Sequence, residues 1–405
     1  MKIKNIPFSP PDITDLEIEE VVNTLKSGWI TTGPKTKEFE KQISKYVGVN
    51  RAVALNSATS GMELVLRILG IGPGDEVITS AYTYTASASI IEHVGAKIIL
   101  IDTAPDSYEM DYEQLEKAIN KNTKLIIPID LAGIMCDYEK IFEIVKRKKH
   151  IFQPITKLQE KINRVMVMAD AAHAFGASQN GKNCGQVADF TVFSFHAVKN
   201  LTTSEGGAVV WRNDLGLNDD EIYQEFMLYS LHGQSKDALT KNEKGSWEYD
   251  IIYPGYKYNM TDITASLGLI QLKRYSQLLS RRHEIIEKYN EGLRELNISV
   301  LTHKAESNTS SGHLYFVRIP GLNEETRNQF ILKMAELGVS TNVHYKPLPM
   351  FTAYQNLGFD IKNYPNAFNM YKNEITLPLQ TLLNDEDVEY VINAFKIVYK
   401  KIIKI

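Results

Sequence analysis

Val165-Met166-Val167-Met168-Ala169-Asp170-Ala171-Ala172-His173 and, a short way on, Phe190-Thr191-Val192-Phe193-Ser194-Phe195-His196-Ala197-Val198-Lys199 are the two stretches that decide the fold. Each opens as an apolar, β-rich run with little polar alternation, the pattern of a strand covered on both faces. Each then passes at once into chemistry, Asp170 in the first and Lys199 in the second. Working outward, similar runs occur at Glu76–Tyr82, Lys97–Asp102, Leu125–Asp130 and Gly207–Trp211. Helical periodicity fills the gaps at Thr59–Leu69, Thr83–His93, Met110–Ile119 and Tyr138–Lys146. Strands alternating with helices predict an α/β fold, a mostly parallel sheet with helices on both faces. In such sheets ligands bind beyond the carboxyl ends of the strands, where Asp170 and Lys199 fall.

After Asn259 the pattern changes. A long helix is predicted from Asp262 toward Leu293, through the basic run Arg281-Arg282-His283. Strand-like Leu314–Ile319, an amphipathic helix Asn323–Leu337, strand-like Val339–His344 and a closing helix Asn384–Lys404 follow. A chain of 405 residues exceeds one ordinary core, so two domains are expected. They are a large domain, 1–258, with an N-terminal arm, and a smaller C-terminal α/β domain, 259–405. The charged segment from about 146 to 165 reads as a surface insertion in the first.

Bulk properties exclude several classes. A net charge of −4 gives no general attraction to nucleic acid or anionic membrane. No apolar stretch reaches the length of a membrane span, and Met1–Asp12 lacks the apolar core of a secretory signal. Two cysteines, Cys136 and Cys184, make neither a disulfide framework nor a zinc pattern. A cytoplasmic protein without a metal site is expected.

Three local features carry the chemistry. Asn56-Ser57-Ala58-Thr59-Ser60-Gly61 opens an apolar helix with small and hydroxylated residues, which lets backbone amides approach a phosphate at the positive helix end. Alone, this is an ordinary N-cap. Asp170 closes a buried strand, and alone it could equally cap the next helix; His173 by itself reads as packing. Lys199 lies between an apolar strand and the turn Thr202-Thr203-Ser204-Glu205-Gly206-Gly207-Ala208, an odd setting for a surface charge. Together they meet the demands of pyridoxal phosphate. A lysine takes the aldehyde, an acid keeps the pyridine nitrogen protonated, and a helix end holds the phosphate.

At these motifs the chain resembles the DegT/DnrJ-type sugar aminotransferases, of fold type I among pyridoxal-phosphate enzymes. Further matching blocks are Gly28-Trp29-Ile30-Thr31-Thr32-Gly33-Pro34, Gly70–Ile78, Gly255–Asp262 and Ser340–Leu348 around His344. The resemblance implies that Lys199 holds the cofactor covalently, that Asp170 faces the pyridine nitrogen and that His173 lies near the phenolic oxygen. Ala58, Thr59 and Ser194 match the phosphate contacts. Tyr84 matches the aromatic stacked on one ring face, and Ala172 underlies the other. Trp29, Thr31 and His344 match positions lining the substrate cleft. Ala58 stands where many members have glycine. Many members carry Asn and Arg where this chain has Lys257 and Asn259, in a block that reaches the neighbouring subunit's phosphate. A homodimer with shared sites is therefore implied, with Lys257 or Asn259 making the contact.

The implied reaction moves the amino group of glutamate onto a keto carbon of a nucleotide-linked sugar. Lys257-Tyr258-Asn259 is similar to the enzymes that form UDP-4-amino-4-deoxy-L-arabinose, which favours a UDP-linked 4-keto sugar over a dTDP-linked 3-keto sugar. The related sugar dehydratases replace the lysine with histidine, so Lys199 argues against them. An idle binding protein on this fold would not be expected to keep Asp170, Ser194 and Lys199 together. A nicotinamide fingerprint fails because Gly70-Ile71-Gly72-Pro73-Gly74 precedes a strand where the fingerprint must follow one.

Overall fold

Strands whose two faces are both apolar must be covered twice, and the computed structural model, which describes residues 3–236 and 248–403, shows how. Seven strands form one sheet: β1 Ala52–Leu55, β2 Glu76–Ser80, β3 Lys97–Ile101, β4 Thr123–Ile127, β5 Met166–Asp170, β6 Phe190–Ser194 and β7 Gly207–Trp211. Their order is β1-β7-β6-β5-β4-β2-β3. Strands β2 to β6 are mutually parallel, and β7 runs antiparallel to both β6 and β1. Side chains alternate between two cores. Leu125, Ile127, Met166, Met168, Phe190 and Val192 enter one, while Ile126, Val167, Ala169 and Phe193 enter the other. This is the α/β fold type I arrangement expected from the sequence.

The edge strand β1 has no counterpart among the sequence-predicted strands. It is four residues long and half alanine, so it carries little β signal. The segment 146–165 exposes most of its charges but is anchored. Gln159 is fully buried, and its Nε2 donates to the Leu69 carbonyl, 2.8 Å away, at the end of the helix Ala58–Ile68.

The long helix spans Asp262–Leu293. Its first half gives Ala265, Tyr275 and Leu278 to a core of the large sheet, and its second half gives Ile285, Ile286, Tyr289 and Leu293 to a third core. That core lies on a small antiparallel sheet, Ser299–Val300, Tyr315–Arg318 and Glu374–Leu377. The strand expected at Val339–His344 is a correction. Only single bridges occur there, Val339 with Ile6 and Asn342 with Thr376, and the sheet position belongs to Glu374–Leu377. Ile6 is buried in the third core, so the start of the chain is tied to its C-terminal part. The closing helix, Asp385–Ile403, packs on the same core; Lys404 lies outside the described residues. Among the described residues no helix is long and apolar enough to cross a membrane.

Candidate active site

The parallel strands β4, β5 and β6 end at one cavity of about 450 Å³. Its floor is set by the helix Ala58–Ile68. Ser57 caps this helix, its Oγ accepting from Ser60 N–H at 3.1 Å, and Gly61 N–H bonds the Ser57 carbonyl. The amides of Ala58 and Thr59 have no hydrogen-bond partner among the described residues and lie at the positive end of the helix. The helix end can approach the sheet this closely because of Gly207. A Cβ there would lie 2.5 Å from Ala58 N and 2.6 Å from the Ser57 carbonyl carbon. Ser194, at the end of β6, lines the same cavity as Ser57, Ala58 and Thr59.

Asp170 ends β5 with 7% exposure. Its Oδ2 accepts from Ser87 Oγ at 2.5 Å and its Oδ1 from Ala172 N–H at 3.2 Å. Burial raises its proton affinity, and the Ser87 and Ala172 bonds and the Lys199 charge act the other way. Lys199 lies in the loop after β6, which is pinned by Phe195 N–H to Gly206 O, Thr203 N–H to Phe195 O and Asn200 Nδ2 to Ser311 O. Phe195 and Leu201, both buried, anchor the loop on either side of it. Among the described residues the Lys199 amine has no hydrogen-bond partner. Burial brings its pKa down to about 8, and the Asp170 carboxylate opposes that fall.

His173, Ala172 and Tyr84 line the cavity too. Tyr84 is 60% exposed, with its ring 5.9 Å from that of Tyr345. His173 accepts from Ala132 N–H at Nδ1 (3.2 Å), and its Nε2 is 3.1 Å from the Tyr345 hydroxyl. Burial first, then the charges on Lys199 and His344, hold His173 well below the usual histidine range. His344 lies behind this wall. Its ring stacks on Phe8, its Nδ1 meets Thr376 Oγ1 at 2.9 Å, and burial pushes its pKa down to about 3.

The cavity thus gathers Ala58, Thr59, Tyr84, Asp170, Ala172, His173, Ser194 and Lys199. Trp29, Thr31, His344, Lys257 and Asn259 do not line it within one chain. Trp29 Nε1 donates to Thr32 O, and the Thr31 carbonyl accepts from Asp262 N–H. Asn259 Nδ2 donates to Thr32 Oγ1 at 2.6 Å, while among the described residues Lys257 Nζ reaches only Asn259 Oδ1 at 2.5 Å.

Among the polar residues that line the cavity or touch its groups and went unassigned in the sequence, three bear on its chemistry. Ser87 lies inside a helical pattern and carries no signal. Asp130 follows β4 as Asp170 ends β5, so the positional argument applied to Asp170 would have found it. It is fully buried, accepts from Cys136 N–H and Tyr138 OH at 2.9 Å each, and burial pushes its pKa up to about 7. Tyr345 follows His344 directly. Among the described residues no His, Cys, Asp and Glu cluster could hold a metal ion. The residues present do fit a phosphate-bearing aldehyde with a basic ring nitrogen. Two free helix-end amides, a buried acid and a half-buried lysine of lowered pKa share one cavity.

The model of the DegT/DnrJ/EryC1/StrS aminotransferase family matches residues 11–396. The chain is 36% identical to the spore coat polysaccharide biosynthesis protein SpsC of Bacillus subtilis, covering 98% of this chain and 97% of that protein. It is 34% identical to the UDP-4-amino-4-deoxy-L-arabinose–oxoglutarate aminotransferase of Shewanella sediminis, over 96% and 97% of the two chains. Among solved structures it is similar to Spr1654 of Streptococcus pneumoniae, assigned as a sugar aminotransferase. The PMP-form gives a TM-score of 0.96 at 55% identity, over 98% of this chain and 100% of that one. The PLP-form gives 0.95 at 54%, with the same coverage.

Proposed function

This chain belongs to the DegT/DnrJ/EryC1/StrS aminotransferase family and is a sugar aminotransferase with pyridoxal phosphate as its cofactor; from that premise we propose that it moves the amino group of glutamate to carbon 4 of a UDP-linked 4-keto sugar. The observation that carries the proposal is the meeting, in one cavity, of Lys199, Asp170 and the free amides of Ala58 and Thr59. Lys199 would hold the cofactor through its amine, and Asp170 would face the pyridine nitrogen. The amides of Ala58 and Thr59, with Ser194, would hold the phosphate. Tyr84 and Ala172 would flank the ring, and His173 would stand beside its phenolic oxygen. When bound, the cofactor supplies a carbon that takes the amine from one substrate and gives it to the next, and a ring that draws off the electron pair left by a departing proton.

The work of the chain is proton transfer and orientation. Lys199 Nζ takes the proton from the α-carbon of glutamate and, in the second half, delivers one to the sugar carbon that receives the amine. An amine with a pKa near 8 does both near neutral pH. Asp170, held by Ser87 and Ala172, keeps one orientation throughout. Small dicarboxylate and bulky nucleotide sugar must enter in turn, which suits a cavity whose rim residue Tyr84 is exposed.

We further assign a homodimer with shared sites. Lys257 is the better candidate for the partner's phosphate, because Asn259 is spent on Thr32 and on orienting the lysine. Trp29, Thr31 and His344 would line the sugar cleft of the assembled dimer. In this reading residues 1–258 hold the cofactor and 259–405 help to close the cleft. Two buried, unpaired cysteines suit a cytoplasmic setting. Carbon 4 is favoured by the likeness to the Shewanella sediminis enzyme.

The test is incubation with pyridoxal phosphate, glutamate and a panel of nucleotide keto sugars, with products read by mass and NMR. An amine at carbon 4 of a UDP-sugar is expected. An amine at carbon 3, or turnover of dTDP-sugars alone, overturns the assignment of substrate.

A further inference from the structure

We propose that Tyr345 is a reactant-facing hydrogen-bond donor, its O–H directed into the cavity by a chain of bonds that starts at the Ala132 amide and passes through His173. The inference rests on the functional reading above, which makes the cavity the place of amino transfer.

The direction of each bond follows from the first. Ala132 lies in the turn Leu131–Gly133 just after β4, with φ 57° and ψ 11°. Its N–H donates to His173 Nδ1 at 3.2 Å. A ring nitrogen that accepts cannot carry a proton, so the neutral imidazole bears its proton on Nε2. The ring is kept neutral by its surroundings. It is buried, faces Lys199 and His344, and lies with its centre 4.3 Å from the ring of His313, tilted by 43°, His313 itself being held to Asn200 Oδ1 at 2.8 Å. Nε2 lies 3.1 Å from the Tyr345 oxygen. Nε2–H therefore donates and the phenol oxygen accepts. The reverse would leave the imidazole with no proton on either nitrogen, an anion.

A phenol that accepts from histidine keeps its own proton. Among the described residues the hydroxyl has no hydrogen-bond partner other than His173, and Tyr345 lines the cavity beside Lys199 and Asp170. Its loop is fixed from behind. Tyr82 OH donates to His344 O at 3.0 Å, His344 N–H to Glu374 Oε2 at 2.9 Å, and Leu348 N–H to Ala81 O at 2.9 Å. The free O–H is placed to serve an oxygen bound in the cavity. That oxygen bears full or partial negative charge near the reacting carbon and belongs either to the cofactor's phenol or to the substrate. His173, its one proton spent on Tyr345, acts as a positioning residue.

Tyr345→Phe keeps the ring and removes only the donor. In the cofactor-loaded enzyme we expect kcat/KM to fall about ten- to hundred-fold, the range of one lost hydrogen bond to a charged or buried acceptor. If the acceptor is the cofactor's oxygen, the pH midpoint of the visible absorption band shifts without substrate present. If it is a substrate oxygen, the midpoint stays and KM rises for one substrate only. A variant with wild-type kinetics and an unshifted midpoint overturns the proposal. So does a ¹⁵N spectrum of histidine-labelled, cofactor-free protein in which the signal lost in His173→Gln shows the proton on Nδ1. Wild-type protein that neither takes up cofactor nor aminates any sugar refutes the functional reading instead, while the ¹⁵N spectrum still decides the bond chain.

Discussion

Lys199 is governed by two opposed effects, burial, which disfavours its charge, and the Asp170 carboxylate, which favours it; burial wins, leaving a pKa of about 8. Only the neutral amine attacks an aldehyde. Cofactor uptake by the free protein, followed by absorbance, should therefore rise with pH through about 8 and then level off. An unperturbed lysine would keep rising toward ~10.4. Borohydride reduction should leave a pyridoxyl adduct on Lys199, and an adduct on another lysine would refute the assignment. With Asp170 facing the ring nitrogen as proposed, Asp170→Asn keeps the shape but cannot hold a proton there. Loss of one preorganised charge partner costs on the order of 10²–10³ in turnover, with a much smaller change in cofactor affinity. Near-wild-type turnover would mean that another group does this work. Lys199 and Asp170 were legible because each ends an apolar run, a local signal. The Ser87 contact to Asp170 and the Tyr345 contact to His173 were not, since they join residues 83 and 172 positions apart.

Among the elements, the approach of β7 to the start of the Ala58–Ile68 helix is a backbone-to-backbone constraint on the site. Gly207→Ala would place a methyl 2.5 Å from the Ala58 amide nitrogen, against backbone that cannot rotate away. Overpacking of this kind costs roughly 1–3 kcal/mol, and here the strain falls on the amides proposed for phosphate. Cofactor affinity should drop about ten-fold or more, with a lower melting temperature. Gly74→Ala makes a useful contrast. Its φ is +94° but nothing lies within 4 Å of the added methyl, so it should cost local stability and leave affinity alone. Equal cofactor affinity in both variants would refute the steric argument. The long helix and the parallel strands were legible because each carries its own period. The last strand of the small sheet was misplaced for a physical reason. Val339, Thr341 and Val343 alternate as β-branched residues do in a strand, but the segment runs beside the sheet and is joined to it by the single bridge of Asn342 with Thr376.

For the whole molecule, the assignment of Lys257 to the partner's site gives a sharp test. Lys199→Ala and Lys257→Ala subunits should each be nearly inactive alone. Mixed after unfolding and refolding, they should recover roughly a quarter of wild-type activity, since half the dimers are hybrid and each holds one intact site. Hybrid dimers without activity, or a monomer in sedimentation, would refute shared sites. The sequence carries no local signal for which surfaces of two copies meet, so the proposed dimer rests on the resemblance and not on periodicity. One contact within the chain has a consequence for its synthesis. The Asp262 carboxylate accepts from Gly33, Lys35 and Thr36 N–H at 2.8, 3.1 and 2.9 Å, and so caps the helix Pro34–Val47. A ribosome delivers that helix long before it delivers Asp262, residue 262 of 405. Strand β1, just downstream, likewise waits for β7. The emerging chain must therefore carry the edge strand unpaired until about half of it has left the tunnel, and the helix uncapped until about two-thirds has. Stalled translation before that point would leave the nascent chain exposed to aggregation and to proteases, however stable the finished enzyme.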